Sequence, residues 1–199
     1  MRTAALIVAA GMSKRMGQFK PLMPIGDSTV ARRVVDSLRR VGAEPIVMVT
    51  GFRAKELEAH LADRGVVFLR NPDYETTQMF DSVKIGLAYL KDKCDRILFT
   101  PVDVPLFTVR TPLTLLKSGA RLACPVTGGR IGHPIVISAA LVDGILADCG
   151  ERGLKGALDR CPEPLVHIQV EDFGSVQDAD TPEDFSTLLD YHSRGGGEN

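Results

Sequence analysis

The chain has 199 residues, a formal net charge of −1, 44% hydrophobic residues and 25% charged residues. This length fits one compact domain with a sizeable core, and the near-neutral charge excludes the strongly basic proteins that bind nucleic acids or membrane surfaces. No apolar run reaches the ~18 residues of a membrane span, so we expect no nucleic-acid partner and no membrane, and any basic site must be local.

Strand patterns alternate with helix patterns through the first half of the chain. Residues 4–9 form a continuous apolar run, which is typical of a strand buried on both faces. Residues 29–41 place apolar side chains on one helix face, with arginines opposite. Further strands are expected at 45–51, 66–71 and 96–105, and further helices at 54–65, with Gly65 as C-cap, and at 79–93. This βαβαβαβ order predicts a parallel sheet with helices on both faces.

The second half of the chain is less regular. Strands are expected at 121–127, 133–138 and 165–172, and helices at 139–150, 153–161 and 181–192, the last with Thr181 as N-cap. The whole pattern predicts a three-layer, Rossmann-like α/β fold with a mostly parallel sheet and a small insertion around 106–165. We expect a single domain at 1–192, followed at 193–199 by a flexible tail or the start of a linker to a fused or partner domain.

Four cysteines occur, at positions 94, 124, 149 and 161. They show no C-x-x-C spacing and have no histidine at ligand spacing, which indicates neither a zinc site nor a disulfide framework. The N-terminus reads directly into a strand, without a signal-peptide pattern. We therefore expect reduced, mostly buried thiols in a cytoplasmic protein.

The segment LIVAAGMSKRMGQFKPL, residues 6–22, joins the first buried strand to a loop that carries glycines and cations. It is not a G-x-x-x-x-G-K-[ST] loop, because Lys20 is followed by Pro21, and it is not a G-x-G-x-x-G loop, because Gly11 is followed by Met12 and Ser13. In open α/β sheets, ligands bind beyond the carboxyl ends of the strands. Loop amides with nearby cations suit a polyphosphate, so the position of this loop favours phosphate binding over a merely solvated turn.

One acidic motif occupies a position that suits a metal ion, and a second lies at a helix start. Asp103 follows a buried strand and precedes Pro105, where a carboxylate would lie near a polyphosphate on the first loop. The other reading of Asp103 is an ordinary loop or N-cap aspartate. Asp178 and Asp180 precede a helix, and helix starts attract carboxylates without any metal.

Residues 8–22 resemble the signature A-A-G-x-S-x-R-M-G-x-x-K of the MobA-like nucleotidyltransferases. Segments 71–87, 101–105, 129–138 and 178–185 match the same family in the same order, so the resemblance covers roughly residues 4–188. It is strongest to the branch that transfers cytidylate to the molybdenum cofactor. The resemblance implies a nucleotidyltransferase fold and a Mg²⁺-dependent enzyme that joins a nucleoside monophosphate, taken from an NTP, to a phosphorylated small-molecule acceptor with release of pyrophosphate.

The resemblance also implies roles for individual residues. Arg15, Lys20 and Asp103 would be catalytic, and Asp103 and Asp180 would bind Mg²⁺, with Asp178 as the alternative to Asp180. The nucleotide-binding residues would be Ala9, Ala10, Gly11, Ser13, Arg15, Gly17, Lys20, Asn71 and Ser82. Gly132 and His133 would line the acceptor pocket.

The identity of the base and of the acceptor follows less directly from the resemblance. Relatives that take CTP or UTP generally read A-A-G at residues 9–11, whereas guanylyltransferase relatives often read A-G-G, so CTP is favoured. Around 78–82 the relatives often carry glycine and serine where base and ribose are read, and here only Ser82 keeps its place. Molybdopterin or the molybdenum cofactor is the expected acceptor. The alternatives are a sugar or polyol phosphate acceptor, or a non-catalytic nucleotide-sensing domain of a larger protein; an oxidoreductase is the weakest reading.

Overall fold

The computed structural model describes residues 1–197. The strands, in chain order, are β1 (Thr3–Ala9), β2 (Pro24–Ile25), β3 (Ser28–Thr29), β4 (Ile46–Thr50), β5 (Val67–Arg70), β6 (Arg96–Pro101), β7 (Leu122–Thr127), β8 (Arg130–Ile131), β9 (Ile135–Ser138) and β10 (Val166–Gln169). The α-helices are α1 (Val30–Arg40), α2 (Ala54–His60), α3 (Met79–Leu90), α4 (Arg110–Lys117), α5 (Val142–Leu146), α6 (Gly153–Asp159) and α7 (Pro182–Ser193).

The central sheet has the strand order β10-β7-β9-β6-β1-β4-β5, with β8 paired to β7. β1 runs parallel to both of its neighbours, β4 and β6, and β4 runs parallel to β5. β9 is antiparallel to both β6 and β7. Because β1, β4 and β6 point the same way, the loops that follow them leave the sheet at one edge. The predicted fold class, a mostly parallel sheet with helices on both sides, is confirmed.

Both faces of β1 are buried, which explains its continuous apolar sequence. Ile7 packs into one core cluster with Leu38 of α1, and Leu6 packs into the opposite cluster with Leu87 of α3. Gly86 lets α3 approach the sheet closely, because a Cβ at this position would overlap the side chain of Leu6. The first strand is therefore the centre of a three-layer core.

The predicted boundaries of several elements are confirmed. Thr29 caps α1 by accepting a hydrogen bond from the Arg32 amide. The predicted helix 54–65 is shorter, because α2 ends at His60, and Gly65, with a left-handed φ of 54°, caps the separate 3₁₀ turn Ala62–Arg64. Thr181 caps α7 in a reciprocal capping box with Asp184. Helix α4 was not predicted, since its apolar positions are few and Pro112 lies within its first turn.

Residues 106–165, expected as an insertion, contribute β7, β8 and β9 to the central sheet and α5 and α6 to the layer of α3.

Of the predicted tail at 193–199, Glu198 and Asn199 lie outside the described residues. Gly197 is buried, and its carbonyl accepts a hydrogen bond of 3.4 Å from Arg33 Nη2. The division into a domain at 1–192 and a tail stays a prediction.

The structure also shows the environment of the four cysteines and the length of the apolar helices. Cys94 and Cys124 are buried, Cys161 is half-buried and Cys149 is exposed, and all four are free thiols. Burial raises the pKa of the Cys124 thiol to about 11, so this thiol is unreactive near neutral pH. Within residues 1–197, no helix combines the length and the apolar character that crossing a membrane requires.

Candidate active site

Four chain segments enclose a cavity of about 290 Å³ at the carboxyl end of β1 and β6. They are the loop that follows β1, the turn that follows β6, the residues that lead into α3, and Asp180 just before α7. The first loop contributes three cations to the lining, and the other walls contribute two carboxylates and several neutral polar groups. The cavity therefore lies where the topology of an open α/β sheet places a ligand.

The loop after β1 is held in shape by contacts within the protein. Ser13 adopts a left-handed φ of 51°, its carbonyl accepts a hydrogen bond of 3.1 Å from the Met16 amide, and its Oγ lies 3.3 Å from the Lys20 amide. Met16 and Phe19 are buried, and the ring of Phe19 packs edge-to-face on Phe52 with centroids 5.7 Å apart. These contacts within the protein fix the shape of the loop, which lowers the entropy cost of ligand binding.

The backbone brings the two predicted metal ligands to the same side of the cavity. The Val102 amide donates to the Val8 carbonyl at 3.0 Å, which aligns the turn after β6 with the end of β1. The Ala179 amide donates to the Asp103 carbonyl at 3.1 Å, which ties the segment before α7 to that turn. Asp103 and Asp180, distant in the sequence, become neighbours through these bonds.

Lys20 connects both carboxylates. Its Nζ lies 2.6 Å from Asp180 Oδ1 and 3.3 Å from Asp103 Oδ2. The other oxygen of Asp180 accepts a hydrogen bond of 2.8 Å from Arg15 Nη2. The hydrogen bond from Lys20, together with the charges of Lys20 and Arg15, lowers the pKa of the Asp180 carboxyl against the opposing effect of its burial. Asp180 is therefore an anion at neutral pH.

The donor set fits a Mg²⁺ ion that is shared with a substrate. Mg²⁺ is usually held by one or two carboxylates together with phosphate oxygens and waters, and Asp103 and Asp180 both reach a single cationic group, Lys20 Nζ. Within residues 1–197, no group of three or more histidine, cysteine, aspartate or glutamate side chains is arranged to hold a metal. The remaining ligands of a Mg²⁺ ion here would thus have to be phosphate oxygens and water.

Most of the predicted site residues lie together. The cavity lining contains nine of them: Ala9, Ala10, Gly11, Ser13, Arg15, Lys20, Ser82, Asp103 and Asp180. Gly17 is exposed and supplies a turn with a φ of 70°, so it shapes the loop without lining the cavity. Asp178, the alternative to Asp180, is exposed and outside the lining.

Asn71 lies behind the cavity wall and not in it. Its Nδ2 donates to Thr77 Oγ1 at 2.9 Å and to Ser82 Oγ at 3.0 Å, and its Oδ1 accepts a hydrogen bond of 3.0 Å from the Asp73 amide. The residue is only 3% exposed. Because its amide group is engaged within the protein, Asn71 can position Thr77 and Ser82, which do line the cavity, more readily than it can contact a nucleotide.

Gly132 and His133 lie outside the lining of this cavity. The His133 amide donates to the Ser175 carbonyl at 2.7 Å, and its ring packs edge-to-face on Phe99 with centroids 5.7 Å apart. A Cβ on Gly132 would overlap the Ser175 carbonyl, so glycine is required for this close approach. These contacts explain how both residues pack, although the buried His133 Nδ1 has no hydrogen-bond partner within residues 1–197. Their role in acceptor binding stays a prediction.

We expect the stability of the protein to fall as the pH is lowered below the ordinary pKa of histidine, and His133 to contribute to that fall. Desolvation lowers the pKa of the His133 imidazole to about 4, although a hydrogen bond with the Phe99 backbone and the charge of Asp178 oppose the shift. Between about pH 6.5 and this value, the unfolded chain binds a proton that the folded protein does not, so the free energy of unfolding falls with the pH.

Urea unfolding at several pH values checks this expectation. His133→Gln should unfold with a weaker dependence on pH than the wild type, whereas His167→Gln, a change at an exposed histidine, should keep the wild-type dependence. If the free energy of unfolding depended on pH equally in the wild type and in His133→Gln, His133 would have the same pKa in the folded and the unfolded state.

Several lining residues were not among the predicted site residues, namely Lys14, Tyr74, Thr77, Gln78 and Met79. Four of them belong to the segment before and at the start of α3, where the Gln78 amide donates to Asp81 Oδ2 at 2.8 Å. This segment lay within the resemblance, so its position in the site was indicated. Because it departs from the sequence of the relatives, however, the resemblance did not identify which of its side chains face the cavity.

Comparisons with known proteins identify the family and the relatives of this chain. Residues 5–165 match the family model described as the MobA-like NTP transferase domain. The chain is 28% identical over 192 residues to the molybdenum cofactor cytidylyltransferase of Escherichia coli (strain K12), covering 94% of this chain and 96% of that protein.

Solved structures show the same fold at lower identity. A nucleotidyl transferase from Methanothermobacter thermautotroptrophicus has a TM-score of 0.85 at 21% identity, covering 98% of this chain and 99% of its own. Rv0371C from Mycobacterium tuberculosis H37Rv, solved as a complex with manganese, has a TM-score of 0.80 at 21% identity, covering 96% of this chain and 98% of its own.

Proposed function

We propose, because this chain belongs to the MobA-like NTP transferase family, that it transfers CMP from CTP to a phosphorylated acceptor of the molybdopterin type and releases pyrophosphate. The observation that carries the proposal is the convergence of Lys20 and Arg15, from the loop after β1, with Asp103 and Asp180 in one cavity. A triphosphate needs cations and loop amides, and the carboxylates suit the divalent ion that accompanies it.

In this reaction the protein would act mainly by positioning the substrates and neutralising their charge, and it would form no covalent bond with them. An oxygen of the acceptor phosphate forms a bond to the α-phosphorus of CTP, while the bond from that phosphorus to the bridging oxygen breaks and pyrophosphate leaves. The acceptor phosphate is already ionised near neutral pH, so no general base is required.

The residues of the cavity divide this work. The backbone amides of the lining residues Gly11 and Ser13 to Arg15 would hold the β- and γ-phosphates, and Arg15 would pair with phosphate oxygens through its planar guanidinium. Lys20 would stabilise the negative charge that develops around the α-phosphate. Asp103 and Asp180 would hold Mg²⁺, which when bound neutralises phosphate charge.

The choice of CTP and of the acceptor has two supports. The Escherichia coli molybdenum cofactor cytidylyltransferase aligns with this chain over nearly its full length. Ala9 and Ala10, which are buried and line the cavity, belong to the A-A-G motif that, by resemblance, favours a pyrimidine base over guanine. The finer claims, that the base is cytosine, the metal is Mg²⁺ and the acceptor is molybdopterin or its metal-loaded form, are parts of the proposal.

A thermal-shift titration with CTP, GTP, ATP and UTP, with and without Mg²⁺, tests the nucleotide. A ligand at 100 times its Kd stabilises the folded state by about 2.7 kcal/mol, so CTP with Mg²⁺ should raise the Tm most. Pyrophosphate release with molybdopterin, a sugar phosphate and a polyol phosphate then tests the acceptor. Release with only the sugar or polyol phosphate would contradict the proposed acceptor, and tight NTP binding without turnover on any acceptor would indicate a nucleotide-sensing domain.

A further inference from the structure

We propose that, in the protein without nucleotide, the Lys20 ammonium occupies the position between Asp103 and Asp180 that a divalent cation would take. The NTP must then draw Lys20 away before the two carboxylates can hold a metal ion. This inference rests on the proposed function, because it takes Asp103 and Asp180 as the metal ligands. It goes further by assigning Lys20 two successive partners and an order to the binding of metal and nucleotide.

The geometry of the three side chains supports an internal counterion. A single ammonium group lies within 3.3 Å of one carboxylate and 2.6 Å of the other. The Lys20 side chain is only 11% exposed, and those of Asp103 and Asp180 are 24% and 31% exposed. Because water reaches these groups only in part, salt screens their attraction less than it screens a surface pair.

A metal ion and the Lys20 ammonium would compete for the same oxygens. Asp180 Oδ1 is bound to Lys20, and Asp180 Oδ2 is bound to Arg15. A divalent ion that took Asp180 Oδ1 and Asp103 Oδ2 would lie against the ammonium that both oxygens now contact. The repulsion between two cations at such a distance disfavours their joint presence, so the metal enters only when Lys20 leaves.

The position of Lys20 allows this exchange. Its backbone amide is held by Ser13 Oγ in the folded loop, while its ammonium is at the end of a flexible four-carbon stem. A triphosphate on the loop would offer Lys20 phosphate oxygens in the same cavity. Moving the ammonium to these oxygens would free both carboxylates, so nucleotide binding and metal binding support each other reciprocally.

Binding of Mn²⁺ alone, followed by the electron paramagnetic resonance signal of the free ion, tests the inference without any nucleotide. Lys20→Met should bind Mn²⁺ about tenfold or more tightly than the wild type, because it removes the competing cation from Asp103 Oδ2 and Asp180 Oδ1, while Arg15 stays on Asp180 Oδ2. The double variant Lys20→Met/Asp180→Asn should lose this gain. Lys14→Met, which removes the same charge from an exposed position of the same loop, should show a much smaller gain.

The outcomes separate this inference from the proposed function. If the wild type binds Mn²⁺ as tightly as Lys20→Met, and Asp180→Asn abolishes binding in both, the inference is overturned while the metal site stands. If neither protein binds Mn²⁺, the inference is also overturned, and the response of the wild-type Tm to CTP and Mg²⁺ decides the proposed function independently. Melting curves of Lys20→Met establish that it is folded, and Lys20→Gln serves as a second variant with the same expected gain.

Discussion

Replacing Lys20 by alanine should lower kcat for nucleotidyl transfer roughly 10²–10³-fold, the loss seen when one preorganised donor is removed from a developing negative charge. Lys20 is 9% exposed, its backbone is positioned by the loop after β1, and its side chain lines the cavity, so its ammonium can reach the phosphates of a bound nucleotide. Steady-state pyrophosphate release at saturating CTP and acceptor measures the effect.

The matched control is Lys55→Ala, which removes an exposed lysine from helix α2 and should leave kcat unchanged. A rate for Lys20→Ala within about threefold of the wild-type rate, far from the loss expected here, would refute the assignment. The proposed competition implies that Lys20→Ala binds Mg²⁺ more tightly than the wild type. The variant should still turn over slowly at saturating Mg²⁺, because a bound metal ion cannot replace the stabilisation that the Lys20 ammonium gives the α-phosphate.

Asp180→Asn removes one of the two proposed metal ligands and should lower kcat by about 10²-fold or more, since a bound metal ion contributes several kcal/mol of charge stabilisation and each ~1.4 kcal/mol is a factor of ten. The change also removes the anion that binds Lys20 and Arg15. Raising the Mg²⁺ concentration should restore part of the rate, because the lost ligand weakens metal binding. Initial rates over a range of Mg²⁺ concentrations check this expectation.

Asp178→Asn is the matched control for that experiment. Asp178 is exposed and outside the cavity lining, although it lies only two residues from Asp180 in the sequence. Its substitution should leave both the rate and the Mg²⁺ dependence near the wild-type values. A larger loss in Asp178→Asn than in Asp180→Asn would reverse the assignment of the second metal ligand.

The sequence predicts those parts of the fold that depend on local patterns. β1 is recognisable because burial on both faces requires an unbroken apolar run, and α1 because one face packs on the sheet while the other is solvated. Thr181 and Pro182 mark a helix start through capping chemistry alone. Helix α4 lacks such signals, and its position depends on tertiary packing of Leu115 in the core.

The candidate site is predictable in its parts but not in its contacts. Asp103 follows a strand, and the loop after β1 carries Lys20, so both could be identified as candidates from the sequence. The ion pairs of Lys20 with Asp103 and with Asp180 require the segment before α7 to lie beside the turn after β6. The hydrogen bond between Ala179 and Asp103 secures this arrangement, and no short-range pattern encodes it. Asn71 shows the same limit, because a resemblance identifies a segment and leaves the direction of each side chain open.

The hydrogen bond from the Ala179 amide to the Asp103 carbonyl has a consequence for truncation and domain exchange. The region that the family model recognises ends at residue 165, yet one of the two carboxylates beside Lys20 belongs to residue 180. A fragment cut at the family boundary would keep the phosphate-binding loop but lose half of the acidic pair. In a chimaera, the segment that carries residue 180 should therefore come from the same parent as the turn after β6.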